Sequence, residues 1–139
     1  MIIIYKNRLN KELKKSEYFI KLNDYDYIIK YKSNEFKIKI DNSYPFKPPL
    51  CYLKNGNMIN NYNPQHFPKK LWKMYNESNK CMCCNNISCL EIWSPSQSFY
   101  EIIDEYINFV EKLKKIYKKH IFKNISLPND LIYYIFLYL

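Results

Sequence analysis

Glycine is almost missing from this chain. Among 139 residues there is one, Gly56. A G-x-G-x-x-G turn, a Walker A loop and a kinase glycine loop each need several residues without a Cβ close to phosphate. None can be written here, so dinucleotide and P-loop nucleotide chemistry are excluded. Histidine is nearly as scarce, with only His66 and His120. Neither adjoins a cysteine, which gives little footing to a Cys/His protease dyad. His66 reads as a loop histidine, with a base or a ligand as the rarer use. No apolar run reaches the roughly 20 residues of a membrane span. Met1-Ile2-Ile3-Ile4 is too short for a signal-peptide core and runs into Lys6 and Arg8. The stretch Leu131 to Leu139 is apolar but short. We therefore expect no membrane association and a cytoplasmic location.

What is present is tyrosine, at 15 residues, together with Lys, Asn and Ile. Strongly AT-rich coding produces such a bias, so composition carries little functional meaning. The length fits one domain able to bury roughly two-thirds of its unfolded surface. Net charge is +9. That permits an acidic protein, an anionic surface or nucleic acid as partner. However, the lysines are scattered. Their one run, Lys112, Lys114, Lys115, Lys118 and Lys119, falls on the polar side of a helical pattern and reads as a solvated face. A nucleic-acid partner is not expected. Of five cysteines, Cys81, Cys83, Cys84 and Cys89 lie within nine positions. An odd count with two adjacent members is a poor disulfide framework. It fits a reducing compartment with reactive or metal-binding thiols.

Along the chain, residues 1–16 predict a helix, with Ile4, Leu9 and Leu13 sharing a face. Tyr25 to Tyr31 and Glu35 to Ile40 predict two strands joined by Lys32-Ser33-Asn34 as a hairpin. Phe36, Ile38 and Ile40 alternate with Lys37 and Lys39, the period of a half-buried strand. Tyr44-Pro45-Phe46-Lys47-Pro48-Pro49 places three prolines in five positions, which predicts a rigid, extended loop. Cys51 to Lys54 predicts a strand, and Asn55-Gly56 a tight turn. Residues 60–92 show no clear period and predict a long loop, partly packed through Phe67 and Trp72. Ser98 and Glu101 form a capping-box pattern ahead of a helix over 98–119. Its apolar stripe is Phe99, Ile102, Ile103, Tyr106, Ile107, Val110 and Leu113. A last helix is expected from Pro128 to Tyr138. Helix, antiparallel strands, loop and helices in that order predict an α+β fold.

Three stretches then align in order. They are Arg8-Leu9-Asn10-Lys11-Glu12-Leu13, Tyr44-Pro45-Phe46-Lys47-Pro48-Pro49, and Cys89-Leu90-Glu91-Ile92-Trp93-Ser94-Pro95. Together they resemble the ubiquitin-conjugating enzyme (E2) family, over roughly residues 5–113. That family opens with an R-(L/I)-x-K-E-L helix. It carries a Y-P-F-K-P-P loop after its strand meander, and then a catalytic C-L-D-I segment and W-S-P before a helix. The resemblance implies a UBC-like α+β domain over 1–125. This would comprise an N-terminal helix, a short antiparallel meander sheet, a long active-site loop and C-terminal helices. Residues 126–139 would form a C-terminal helix. That helix either packs on the domain or, from its L-P-x-D-L-I wording, serves as an F-box-like docking helix. The family's third strand reads as missing or compressed, its H-P-N tripeptide is not written, and about fifteen residues are inserted ahead of the cysteines. The coding bias and trimmed fold point to a large DNA virus or a parasite. A viral origin would place the protein in host cytoplasm or nucleus.

The implied activity is thioester transfer. A cysteine accepts the C-terminal acyl group of ubiquitin, or of a ubiquitin-like modifier, from an E1 activating enzyme. It then passes the group to a lysine amine, alone or with a RING-type E3 ligase. Thiolates suit this because they are strongly nucleophilic near neutral pH. Two candidates stand. Cys84 lies nine residues before Trp93, close to the family's eight. Cys89 lies four before it and carries the C-L-E-I wording. The family's oxyanion-stabilising asparagine would be Asn76, eight residues before Cys84, with Asn63 as a rival. Phe46, Pro48, Ser94, Pro95 and Ser96 match the family's ligase-docking surface, with Ser96 in place of alanine. Arg8 and Lys11 match its contacts with activating enzyme. Plain packing of Phe46 and a solvated helix face at Arg8 and Lys11 are equally open. Trp93 reads as core support. No cofactor is required, although Cys81, Cys83, Cys84 and Cys89 could hold zinc in a cramped four-thiolate site. The alternative is an E2-like binding module without catalysis, its cysteines structural or zinc-bound.

Overall fold

The computed structural model describes residues 2–60, 62 and 68–123, with the side chains of 2–5 and 120–123 left aside. The expected helix over 128–138, Asn63, His66 and Phe67 lie outside the described residues. The elements are α1 (Ile2–Leu13), β1 (Tyr18–Lys21), β2 (Asp26–Tyr31), β3 (Asn34–Lys39), β4 (Leu50–Leu53), α2 (Lys69–Ser78) and α3 (Phe99–Lys123). The chain is α+β, as expected. It divides into two compact units, one of residues 1–60 and 86–103, the other of residues 61–85 and 104–139.

The first unit holds α1, the sheet and the start of α3. α1 stops at Leu13, earlier than the expected residue 16. The chain tightens there, with Ser16 Oγ donating to the Leu13 carbonyl at 2.6 Å. The sheet is an antiparallel meander in the order β1-β2-β3-β4. Ile29 faces Phe36, Tyr27 faces Ile38, and Ile38 faces Cys51. These five residues are buried on one face, with Leu9, Leu13, Ile40, Tyr44, Phe99, Ile102 and Ile103 completing the core. Lys37 and Lys39 alternate outward. The β2–β3 turn has positive φ at both Lys32 (50°) and Ser33 (66°). That is the backbone of a two-residue type I′ hairpin, here made without glycine. Gly56, at φ 90°, makes the turn after β4, where its N–H donates to the Leu53 carbonyl at 2.9 Å.

Two sequence expectations are corrected here. The sheet has four strands where the sequence indicates three, at Tyr25 to Tyr31, Glu35 to Ile40 and Cys51 to Lys54. The strand left unread is β1, because Tyr18, Phe19, Ile20 and Lys21 are all exposed on an edge and show no alternation. The proline-rich segment is also not simply extended. Phe46 N–H and Lys47 N–H both donate to the Ser43 carbonyl, at 2.7 and 3.1 Å, and the Tyr44–Pro45 peptide is cis.

The second unit contains α2, where residues 60–92 were expected to be loop. Leu71, Trp72 and Tyr75 form its buried side. The segment Lys69-Lys70-Leu71-Trp72-Lys73-Met74-Tyr75 is too short and too rich in lysine to display a clear period. Its stability comes from aromatic packing instead. Phe109 of α3 meets Tyr62, Trp72 and Tyr75 edge-on, with ring centroids 5.0, 5.6 and 4.9 Å apart. Such pairs contribute about 0.5–1.5 kcal/mol each beyond their buried area. α2 is capped by Asn79, whose N–H and Nδ2 both donate to the Tyr75 carbonyl at 3.1 Å. Among the described residues, no helix is long and apolar enough to cross a membrane.

Candidate functional site

In the first unit the three motif-bearing stretches interlock. Trp93 is buried and donates its indole N–H to the Pro45 carbonyl at 2.8 Å, which ties the proline-rich segment to the W-S-P stretch. Arg8 of α1 donates to the Pro95 and Gln97 carbonyls. The same guanidinium pairs through Nε with Glu12 at 3.1 Å and lies 5.6 Å from the centre of the Tyr44 ring. Glu12 is buried and also accepts from Tyr44 OH, while its backbone carbonyl accepts from Tyr100 OH. Burial, and then the Glu12 carboxylate, hold the Tyr44 phenol well above its ordinary range. A buried carboxylate persists only when paired and hydrogen-bonded, and Glu12 meets both conditions.

Cys89 sits in the turn that leads into this network. Its N–H donates to the Asn86 carbonyl at 3.1 Å, and its own carbonyl accepts from Ile92 N–H at 2.9 Å and Trp93 N–H at 2.8 Å. The residue is half-buried. Beside it, Leu90 and Ile92 are exposed large hydrophobics. Ser88 Oγ donates to the Asn60 carbonyl at 3.4 Å. Asn60 in turn accepts from Cys51 N–H at 2.6 Å and donates to the Pro49 carbonyl at 2.8 Å. Cys51 itself is buried, and burial pushes its thiol far above the usual range, so it is chemically quiet.

Phe46, Pro95 and Ser96 are exposed, and Pro48 and Ser94 are half-buried. Ser94 and Ser96 share a hydroxyl contact at 2.9 Å, and Ser94 N–H donates to Gln97 Oε1 at 2.9 Å. Arg8 is engaged within its own unit, whereas Lys11 is exposed.

The remaining cysteines belong to the second unit, with Asn76 exposed on α2. Cys81, Cys83 and Cys84 bring their three sulfurs within 4.8 Å of one another, a grouping that could hold a metal ion. Cys89, of the first unit, is not part of that grouping. The Sγ atoms of Cys81 and Cys83 lie 2.6 Å apart, and those of Cys83 and Cys84 3.3 Å apart. The thiol of Cys83 is pushed up to about 12, chiefly by its hydrogen bond to Cys81, with burial adding to it. For Cys81, burial pushes up but the side-chain and backbone bonds from Cys83 and Cys84 outweigh it, and the thiol lies below its usual range.

Sequence reasoning missed Glu12 as the buried hub and Met82 as the buried member of the thiol turn. The i, i+4 spacing of Arg8 and Glu12 was a usable signal. Nothing in the sequence distinguished Met82. Against protein-family models, curated proteins and solved structures, the chain finds no match.

Proposed function

We propose that this chain is an E2-like carrier that holds ubiquitin, or a ubiquitin-like modifier, as a thioester on Cys89. The reading rests on one observation. Stretches carrying the E2-like wording, separated by tens of residues, are joined through Trp93–Pro45 and Arg8–Pro95, and Cys89 is bonded into the same turn. Cys84 is the weaker acceptor, because it belongs to the thiol group of the other unit.

In the reaction, the Cys89 thiolate attacks the carbonyl carbon of the modifier's thioester on an activating enzyme. A new C–S bond forms, and the enzyme's thiolate leaves. A lysine amine then attacks the Cys89 thioester. The amide bond forms, Cys89 departs as thiolate, and the amine's proton passes to solvent. Phe46, Pro48 and Ser94 to Ser96 are the surface offered to a RING ligase. Lys11 faces the activating enzyme, while Arg8 acts from within by holding α1 to the loop at Pro95.

A second reading, a non-catalytic E2-like module with a zinc-bound cluster, is favoured by the convergence of three thiols. The two readings separate by experiment. The chain is incubated with activating enzyme, ATP and ubiquitin and run on a non-reducing gel. A thiol-sensitive adduct lost in Cys89→Ala and kept in Cys84→Ala is expected. No adduct from the intact chain, or loss in Cys84→Ala alone, overturns the assignment to Cys89.

A further inference from the structure

Cys81, Cys83 and Cys84 lie on a single turn just beyond α2. Met82 is buried, while Cys83 and Cys84 are exposed and Cys81 is half-buried. Met82 is thus withdrawn from solvent, and the three sulfurs are grouped within 4.8 Å of one another. The backbone of the turn is closed around the Cys81 carbonyl. That oxygen accepts from Asn85 N–H at 3.1 Å, from Cys84 N–H at 3.4 Å and from Asn85 Nδ2 at 2.9 Å. The start of the turn is held by the two hydrogen bonds that Asn79 donates to the Tyr75 carbonyl. The cradle is therefore held in part by contacts that do not use the thiols, alongside the backbone bonds from Cys83 and Cys84 to the Cys81 sulfur.

We propose that this turn is a three-thiolate site for a soft divalent d10 cation of the zinc class, with the fourth coordination position left to water or an outside ligand. Zn–S bonds of about 2.3 Å in tetrahedral geometry place sulfurs about 3.8 Å apart. The three sulfurs already fall within 4.8 Å, so only side-chain rotation at exposed positions is needed to open the two closer pairs. On binding, three metal–sulfur bonds form and the remaining thiol protons pass to solvent. Three thiolates and a divalent cation leave one negative charge, beside the exposed Lys80. The donor set is all sulfur, which disfavours calcium and magnesium, both of which take oxygen ligands. Among the described residues no fourth His, Cys, Asp or Glu joins the three.

The site has a consequence for the rest of the chain. Cys51 is buried, so a cation on the three clustered thiols leaves Cys89 as the single reactive cysteine. The cation would act as a selective mask. This does not depend on Cys89 carrying a modifier.

The test uses the reduced full chain, stripped of metal, with and without one equivalent of Zn²⁺. Brief alkylation with N-ethylmaleimide is followed by intact mass and peptide mapping. Four adducts are expected without zinc, at Cys81, Cys83, Cys84 and Cys89, and one with it, at Cys89. Alkylation of the masked three slows by at least about tenfold, since a metal-bound thiolate is not free to attack. Co²⁺ in place of Zn²⁺ supplies a thiolate charge-transfer band that reports on the ligands. The band should survive Cys89→Ala and disappear in Cys81→Ser and Cys84→Ser, with the far-UV spectrum unchanged in all three. Equal labelling with and without zinc overturns the proposal, as does a band that also requires Cys89. Half an equivalent of metal with dimer formation overturns it too, because the site is then shared between chains.

Discussion

The indole N–H of Trp93 donates to the backbone carbonyl of Pro45 at 2.8 Å, across 48 residues of chain and away from water. That one bond sets the proline-rich segment against the turn that holds Cys89. Trp93→Phe keeps the ring and removes the donor, leaving a buried carbonyl unpaired. A loss of about 1–3 kcal/mol in unfolding free energy is expected. Urea unfolding checks it, and an unchanged midpoint shows the bond to be dispensable.

Glu12 is the hub for Arg8 and Tyr44. Glu12→Ala removes the carboxylate that both residues bond, leaving Arg8 its Pro95 and Gln97 carbonyls, and should cost about 3 kcal/mol, the scale for breaking one side of a buried pair. Glu12→Gln retains an acceptor for Tyr44 and should cost less. Paired thermal melts of the two variants measure the difference, and equal losses would show that the carboxylate charge is not used.

Ser33 occupies the left-handed region at φ 66°, and its N–H donates to Glu17 Oε1 at 3.0 Å. Ser33→Gly keeps that bond and relieves the backbone. It should stabilise the chain by about 0.5–1 kcal/mol, the gain being reduced by glycine's extra freedom when unfolded. Calorimetry reads the shift, and a lower melting temperature counts against it.

Cys51, Tyr44 and Tyr62 are all raised by burial from ordinary values of 9.0, 10.0 and 10.0. The folded state therefore keeps protons that the unfolded state releases in alkali. Their contribution to stability is complete below about pH 9 and is lost as pH rises beyond it, at about 1.4 kcal/mol per pH unit for each group. Cys51→Ala should flatten the first part of that decline. Denaturant titrations at successive alkaline pH values test the slope.

Phe46 is 65% exposed on its turn. Phe46→Ala should leave stability within about 0.5 kcal/mol, as for a surface site. Under the carrier reading, the same variant should still accept ubiquitin from activating enzyme while losing stimulation by a RING ligase. Loss of loading as well would place Phe46 in the chemistry instead.

Local chemistry made much of the fold legible in the sequence. The alternation of Phe36, Ile38 and Ile40, the Asn55-Gly56 turn and the long stripe from Phe99 to Leu113 each carry their period within a few residues. Where the period was absent, the fold was hidden. β1 is an edge strand exposed along its length, and α2 depends on Phe109, more than thirty positions downstream, for its aromatic packing. The candidate site divides in the same way. The wording around Arg8, Pro45 and Trp93 can be read directly, because it is residue identity. Which thiols stand together is decided by how the turn after α2 buries Met82 and groups Cys81, Cys83 and Cys84. Sequence spacing placed Cys89 in that cluster. Only the tertiary structure draws the sulfurs of Cys81, Cys83 and Cys84 together, because their turn closes on the Cys81 carbonyl, while the backbone of Cys89 bonds to Asn86, Ile92 and Trp93 within its own unit.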